Sequence, residues 1–282
     1  MNDLCFAIAP FPRDVTLPLK LNMDASNLAL KQLCRHLAGY QCELSEINNS
    51  LLIGSIQNGL LELDYYVDVD DEFYQEILEL LAFADFAPFL GTLRLSAPDE
   101  GINGTRSWDL EPLTQGEATY QNLKRLDIQG TQPQHHNRTI LGDFAEDGIV
   151  ARLLDKMPNL EQLSIPSAPS PAFFNRPPHP LKHLTLQTGY DTQNFILNLA
   201  QSTCFSQLKT LEFTDYAETY IQNYQQQKTP IQHYFQLFNS NALPHLQTLT
   251  LRHSLLTEKD TANLKNTQLG SQLDLLKLLP SS

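Results

Sequence analysis

The 282-residue sequence predicts an α/β fold in which short parallel strands alternate with amphipathic helices. Three observations carry this expectation. The hexamer LxxLxL, with Ile or Phe allowed at its last place, recurs seven times: LGTLRL from Leu90, LKRLDI from Leu123, LEQLSI from Leu160, LKHLTL from Leu181, LKTLEF from Leu208, LQTLTL from Leu246 and LDLLKL from Leu273. Between the hexamers, Val150, Leu153, Leu154 and Met157 fall at i, i+3, i+4, i+7, as do Ile231, Tyr234, Phe235 and Phe238, the spacing of a helix with one apolar face. Finally, LELDYYVDVDDE at 61–72 splits by parity. Leu61, Leu63, Tyr65, Val67 and Val69 fall on one side and Glu62, Asp64, Tyr66, Asp68 and Asp70 on the other, the period of a half-buried strand.

Taken in order, Leu30, Leu33, Cys34 and Leu37 predict a helix, with Asp24 or Ser26 as its N-cap and Gly39 as its stop. LLIGSI from Leu51 and the stretch 61–70 predict two strands joined through Gln57-Asn58-Gly59, a turn signal. Phe73, Ile77, Leu80, Leu81 and Ala84 predict a second helix, with Asp70, Asp71 and Glu72 at its start, where the helix dipole favours negative charge. From residue 86 onward each hexamer predicts a strand, placing Leu126 and Leu184 in the interior, and Phe195, Ile196 and Leu199 add a shorter helix. One strand and one helix cannot bury their own apolar faces. Stacking such units buries a continuous core.

Seven such hexamers in series, several introduced by the turn-like segments MPNL, HPL and LPHL, resemble the leucine-rich repeat family, of the strand-plus-helix kind that includes ribonuclease-inhibitor-like horseshoes. The resemblance covers about residues 86–282. It implies a solenoid, an open horseshoe or arc with a parallel sheet on its concave face and helices on its convex face. Residues 1–85 are expected to form an acidic α/β cap on residues 86–282, the repeat domain. The family places Asn or Cys three residues after LxL, where the side chain bonds backbone along the turn. Here those positions are Pro98, Thr131, Ala168, Gly189, Tyr216, Ser254 and Ser281, so that ladder is absent and an irregular arc is expected.

The formal net charge of −13 argues against a nucleic-acid partner. Its distribution is uneven. The first 120 residues hold 19 Asp and Glu against 6 Lys and Arg, a net −13, while the remainder holds 13 of each. Such an imbalance gives a directional field that steers a basic partner towards one end. No run approaches the roughly 18 apolar residues of a membrane span. The opening MNDLCFAIAPFP lacks a positive n-region and a small-residue cleavage site, and the four cysteines have no CxxC spacing, so a cytoplasmic protein with reduced thiols is expected.

No catalytic constellation emerges. Counted from Asp68, acidic groups at Asp68, Asp70, Glu72, Glu76 and Glu79 mimic a calcium loop, but its sixth place needs Gly and holds Phe73. His179 and His183 have i, i+4 spacing, broken for a helix by Pro180. There is no nucleophile elbow and no phosphate loop, so no metal, cofactor or enzyme activity is expected.

Binding features are richer. With the leucines inward, the outward residues of the hexamers present Arg94, Arg125, Asp127, His183, Glu212 and Arg252 among short polar side chains such as Ser164, Thr185 and Thr250. The loops after strands carry Trp108, then Phe173, Phe174 and Arg176, and Tyr216, Tyr220 and Tyr224 recur every four residues as on one helix face. Aromatic and Arg side chains are the usual anchors of interfaces when exposed. The competing expectation is that these loops fold back and bury their aromatics. A non-catalytic module that binds a basic protein is expected, by analogy with horseshoe inhibitors an immunity-type protein occluding a toxin such as a nuclease. Its landing surface is the row Glu62, Asp64, Tyr66, Asp68 and Asp70. The alternatives are an effector or scaffold recruiting a protein through the repeats, and an enzyme with its site in the cap.

Overall fold

The structure, a computed structural model, describes residues 5–8, 51–69, 72–84, 86–99, 104–132, 134–142, 145–217 and 222–279. The helix expected over 30–37, Asp70 and Tyr220 lie outside the described residues.

The chain opens with β1 (Cys5–Ile8), β2 (Leu51–Gln57) and β3 (Leu60–Tyr66), paired antiparallel in that order. Asn58 (φ 51°) and Gly59 (φ 79°) both take left-handed backbone between β2 and β3, the two-residue turn that matches strand twist. α1 (Glu72–Leu81) leads to β4 (Leu90–Ser96), and then come β5 (Gly104–Trp108), α2 (Glu111–Thr114), β6 (Arg125–Ile128) and β7 (Asn137–Leu141). α3 (Ile149–Lys156), β8 (Gln162–Ile165), β9 (His183–Gln187), α4 (Phe195–Gln201) and β10 (Thr210–Thr214) follow. The last elements are α5 (Ile231–Phe238), β11 (Thr248–Arg252), α6 (Glu258–Lys265), α7 (Gln268–Gln272) and β12 (Leu275–Leu279).

Ten strands form one sheet in the order β1-β2-β3-β4-β6-β8-β9-β10-β11-β12, and the eight from β3 onward run parallel. β5 and β7 make a separate parallel pair. The seven hexamers therefore supply seven adjacent strands. Their fourth-position leucines stand in register: Leu93, Leu126, Leu163, Leu184, Leu211, Leu249 and Leu276. Leu126 and Leu184 are buried, in one continuous core with Val150, Leu153 and Leu154 of α3, Ile196 and Leu199 of α4, and Leu237 and Phe238 of α5.

β3 shows the expected alternation, with Leu61, Leu63 and Tyr65 buried and Glu62, Asp64 and Tyr66 half-buried. It is shorter than the sequence pattern suggests. The Val67 amide donates to the Ser96 carbonyl at 2.8 Å, and the chain then turns towards α1, so Asp68 lies past the strand and out of the carboxylate row. Because α1 begins at Glu72, the calcium-loop spacing is overruled by helix. No helix among the described residues is long and apolar enough to cross a membrane.

Candidate sheet-face binding surface

Parallel pairing in register turns the outward hexamer positions into rows. The first runs Glu62, Thr92, Arg125, Gln162, His183, Thr210, Thr248 and Leu275, whose side chain is exposed. The second runs Asp64, Arg94, Asp127, Ser164, Thr185, Glu212, Thr250 and Lys277. Neighbouring members sit about 4.8 Å apart, the strand spacing.

The charges on this face pair with one another. Arg94 bonds Asp64 at 3.0 Å, Arg125 bonds Asp127 at 2.6 Å, and Arg252 bonds Glu212 at 2.6 Å. Each pair is half-exposed, so its net stabilisation is at most about 1 kcal/mol. Their larger effect is to cancel charge. The carboxylate row is not a bare acidic stripe, because Asp64 already holds a guanidinium and Asp68 has left the strand.

Between these pairs the side chains shorten. Ser164 and Thr185, flanked by Arg125, Asp127, Gln162 and His183, floor a shallow depression of about 260 Å³. His183 bonds the Thr210 hydroxyl through Nδ1 at 2.8 Å. Burial, and then the ammonium groups of Lys209 and Lys182, hold its imidazole below the ordinary value. At the strand exits, glutamines take over the backbone-bonding task of the missing Asn ladder. Gln129 accepts from the Ala97 amide at 3.1 Å, and Gln187 accepts from the Thr131 amide and donates to the Thr131 carbonyl, both at 2.9 Å.

The hexamers' second positions form one more row, at the strand entrances, that the outward-position reading passed over. The amides of Lys124, Glu161, Lys182, Lys209, Gln247 and Asp274 each donate to the carbonyl of the residue before them in the row, beginning with Gly91. Glu161 is bridged by Lys182 at 2.6 Å and Lys124 at 3.1 Å, which together hold its carboxyl below the ordinary range.

The loop aromatics are corrected by their burial. Trp108, Phe173 and Tyr216 are enclosed and offer nothing to a partner. Trp108 lies on β5 with its ring 5.5 Å from Tyr74. Phe173 stacks on Phe205 at 4.5 Å, and Phe174, partly buried, packs edge-on to it at 5.2 Å. The Arg176 side chain is only 5% exposed; it donates to the Phe173 and Ala151 carbonyls at 2.8 and 2.9 Å and pairs with Asp155 at 3.2 Å, pinning the loop. Tyr216 follows β10 outside any helix while Tyr224 opens a separate 3-10 turn, so they do not share a helix face. In each case the apolar ring gains more by closing the core than by facing water.

The two spaced histidines part ways. His183 faces outward, whereas His179 is buried, with Nε2 3.2 Å from the Met157 carbonyl and its ring against Phe205. Burial pulls His179 down to about 4. An unfolded histidine titrates near 6.5, so below that pH the unfolded chain binds the proton first. His179 therefore adds stability that is present above pH 6.5 and lost as pH falls towards 4, about 2 kcal/mol between pH 7 and 5. Urea unfolding at both pH values should show this acid loss, and His179→Leu should reduce it by that amount. An unchanged pH slope in the variant would exclude the assignment. No group of three or more His, Cys, Asp or Glu among the described residues is placed to hold a metal ion.

No protein-family model, curated protein or solved structure matches the chain.

Proposed function

We propose that the chain is a leucine-rich-repeat solenoid that acts by binding another protein on its sheet face, without catalysis. The observation that carries this reading is the registered array of outward side chains on eight parallel strands, polar apart from the leucines of β12, backed by one continuous leucine core. A rigid sheet face of short polar groups costs little side-chain entropy to cover. Its three ion pairs, two between strands and one within β6, cancel their own charge and leave no strong field. Attraction then comes from the acidic first part of the chain, and a basic partner is the complement. An inhibitor that occludes a basic enzyme such as a nuclease fits this division: charge brings the partner in, and the sheet face excludes its substrate.

Affinity capture with the intact chain tests the proposal when run beside Ser164→Arg/Thr185→Arg, which fills the central depression. The expected result is one basic protein held by the wild type and lost, by about tenfold or more in affinity, from the double variant, with an association rate that falls as salt is raised. Equal retention by both, or a partner insensitive to salt, would overturn it.

A further inference from the structure

From β6 to β10 the entrance edge of the sheet is net cationic, opposite in sign to the molecule as a whole, and Asp274 stands further along it at β12. Across β6, β8, β9 and β10 the second hexamer positions are Lys124, Glu161, Lys182 and Lys209, locked in line by their backbone bonds. Glu161 engages Lys124 and Lys182 together, one carboxylate against two cations. Lys209 stands one strand beyond Lys182, about 4.8 Å away along the sheet. No carboxylate among the described residues pairs with it. Like charges on adjacent strands destabilise a sheet, and the pressure is visible locally, because Lys209 and Lys182 both help to hold down the charge on His183.

Lys209 also borders a groove of about 350 Å³ walled by Gln207, Pro244, His245, Leu246, Gln247 and Gln272. The Gln272 carboxamide donates to the Leu243 and Leu246 carbonyls at 2.8 and 3.2 Å and so fixes one wall. Gln207, Lys209 and Gln247 are exposed, which puts an ammonium and two carboxamides around one opening.

We propose that this edge, centred on Lys209, binds an acidic segment of a partner protein, with one carboxylate between Lys182 and Lys209 and a second over the carboxamides of Gln207 and Gln247. Lysine ammonium and amide donors are the groups that recognise carboxylates. Side chains on one face of an extended peptide repeat about every 6.7 Å, within the reach of the two lysine-lined strands and the groove. The net −13 opposes a long polyphosphate but spares a short contact, because residues 121–282 are neutral in sum. The proposal goes beyond the sheet-face reading and uses none of its residues.

Fluorescence anisotropy with a labelled hexaglutamate peptide tests it on the intact chain, beside labelled hexaglutamine and a single-stranded hexathymidylate. Hexaglutamate should bind, weaken as salt rises, and lose about tenfold in affinity in Lys209→Glu. Lys265→Glu, an equal charge change on the exposed surface of α6, should leave binding within about twofold. Because Lys209→Glu relieves a like-charge contact, its melting temperature should not fall, which separates lost binding from lost folding. Equal loss in both variants, binding of hexaglutamine or hexathymidylate as tight as that of hexaglutamate, or no binding of hexaglutamate would each overturn the proposal.

Discussion

Phe213→Ala should lower the unfolding free energy by about 4 kcal/mol. Phe213 is fully buried on β10, in register with Leu186 of β9 and Leu251 of β11, and its ring stacks on Phe195 of α4 at 5.6 Å with an interplanar angle of 11°. It therefore ties the middle of the sheet to the helix layer. Removing the ring takes away its transfer free energy and leaves a cavity between Phe195 and the leucine rows, which strands on both sides keep from collapsing. Phe213→Leu should recover about half of the loss, since it refills most of the volume but none of the stack. Urea midpoints at constant m-value measure both. A cost for Phe213→Ala below about 1 kcal/mol would mean that the ring is not sealed between the layers.

Asp215→Ala should cost about 3 kcal/mol. The carboxylate sits just past β10, 1% exposed, and organises the return of the chain towards α5. Its Oδ1 accepts from the Tyr216 amide at 2.8 Å and the Thr229 hydroxyl at 3.2 Å, the Thr229 amide reaches both oxygens at 3.1 Å, and the Tyr234 hydroxyl donates to Oδ2 at 3.0 Å. Burial pushes the Asp215 carboxyl above its ordinary value, against these donors, which favour the charged form. Alanine leaves four buried donors without an acceptor, and that desolvation dominates the loss. Tyr234→Phe removes one of them and should cost about 1 kcal/mol, with a coupling of about 1 kcal/mol to Asp215→Ala in a double-mutant cycle. Additive losses would show that the two groups do not act through this bond.

The parts of the fold that the sequence makes legible are those set by short-range periodicity. The LxxLxL spacing marks β4, β6, β8, β9, β10, β11 and β12, and the i, i+3, i+4, i+7 stripes mark α3 and α5. What escapes the sequence depends on which polar group finds which backbone. Glu146 is buried, accepts from the Gly148 and Val150 amides at 2.9 and 2.7 Å and from the Ser170 amide at 2.6 Å, and thereby closes the start of α3. Its position just before the apolar stripe was the available signal, but a carboxylate there reads equally as a solvated charge. Trp108 and Phe173 were ambiguous between anchor and core because a loop aromatic carries no periodicity to say which way it turns. The pairing of Asp64 with Arg94 was hidden for a different reason: it needs the register between β3 and β4, which shifts at Leu61/Glu62, where Gly91 intervenes. A Cβ at Gly91 would come within 3.0 Å of the Leu60 Cβ, so the slip rests on a residue without a side chain.

From β3 to β12, strand order in the sheet follows strand order in the chain, apart from the β5–β7 pair. Successive hexamers begin 21 to 38 residues apart, so each new strand joins its neighbour by closing a segment of similar, modest length. Closure entropy grows only as the logarithm of that length, and the shortest and longest of these segments differ by less than about 0.6 kcal/mol. No step in assembling this layer has to bring distant ends of the chain together, and the topological barrier that slows many β-rich proteins is correspondingly low.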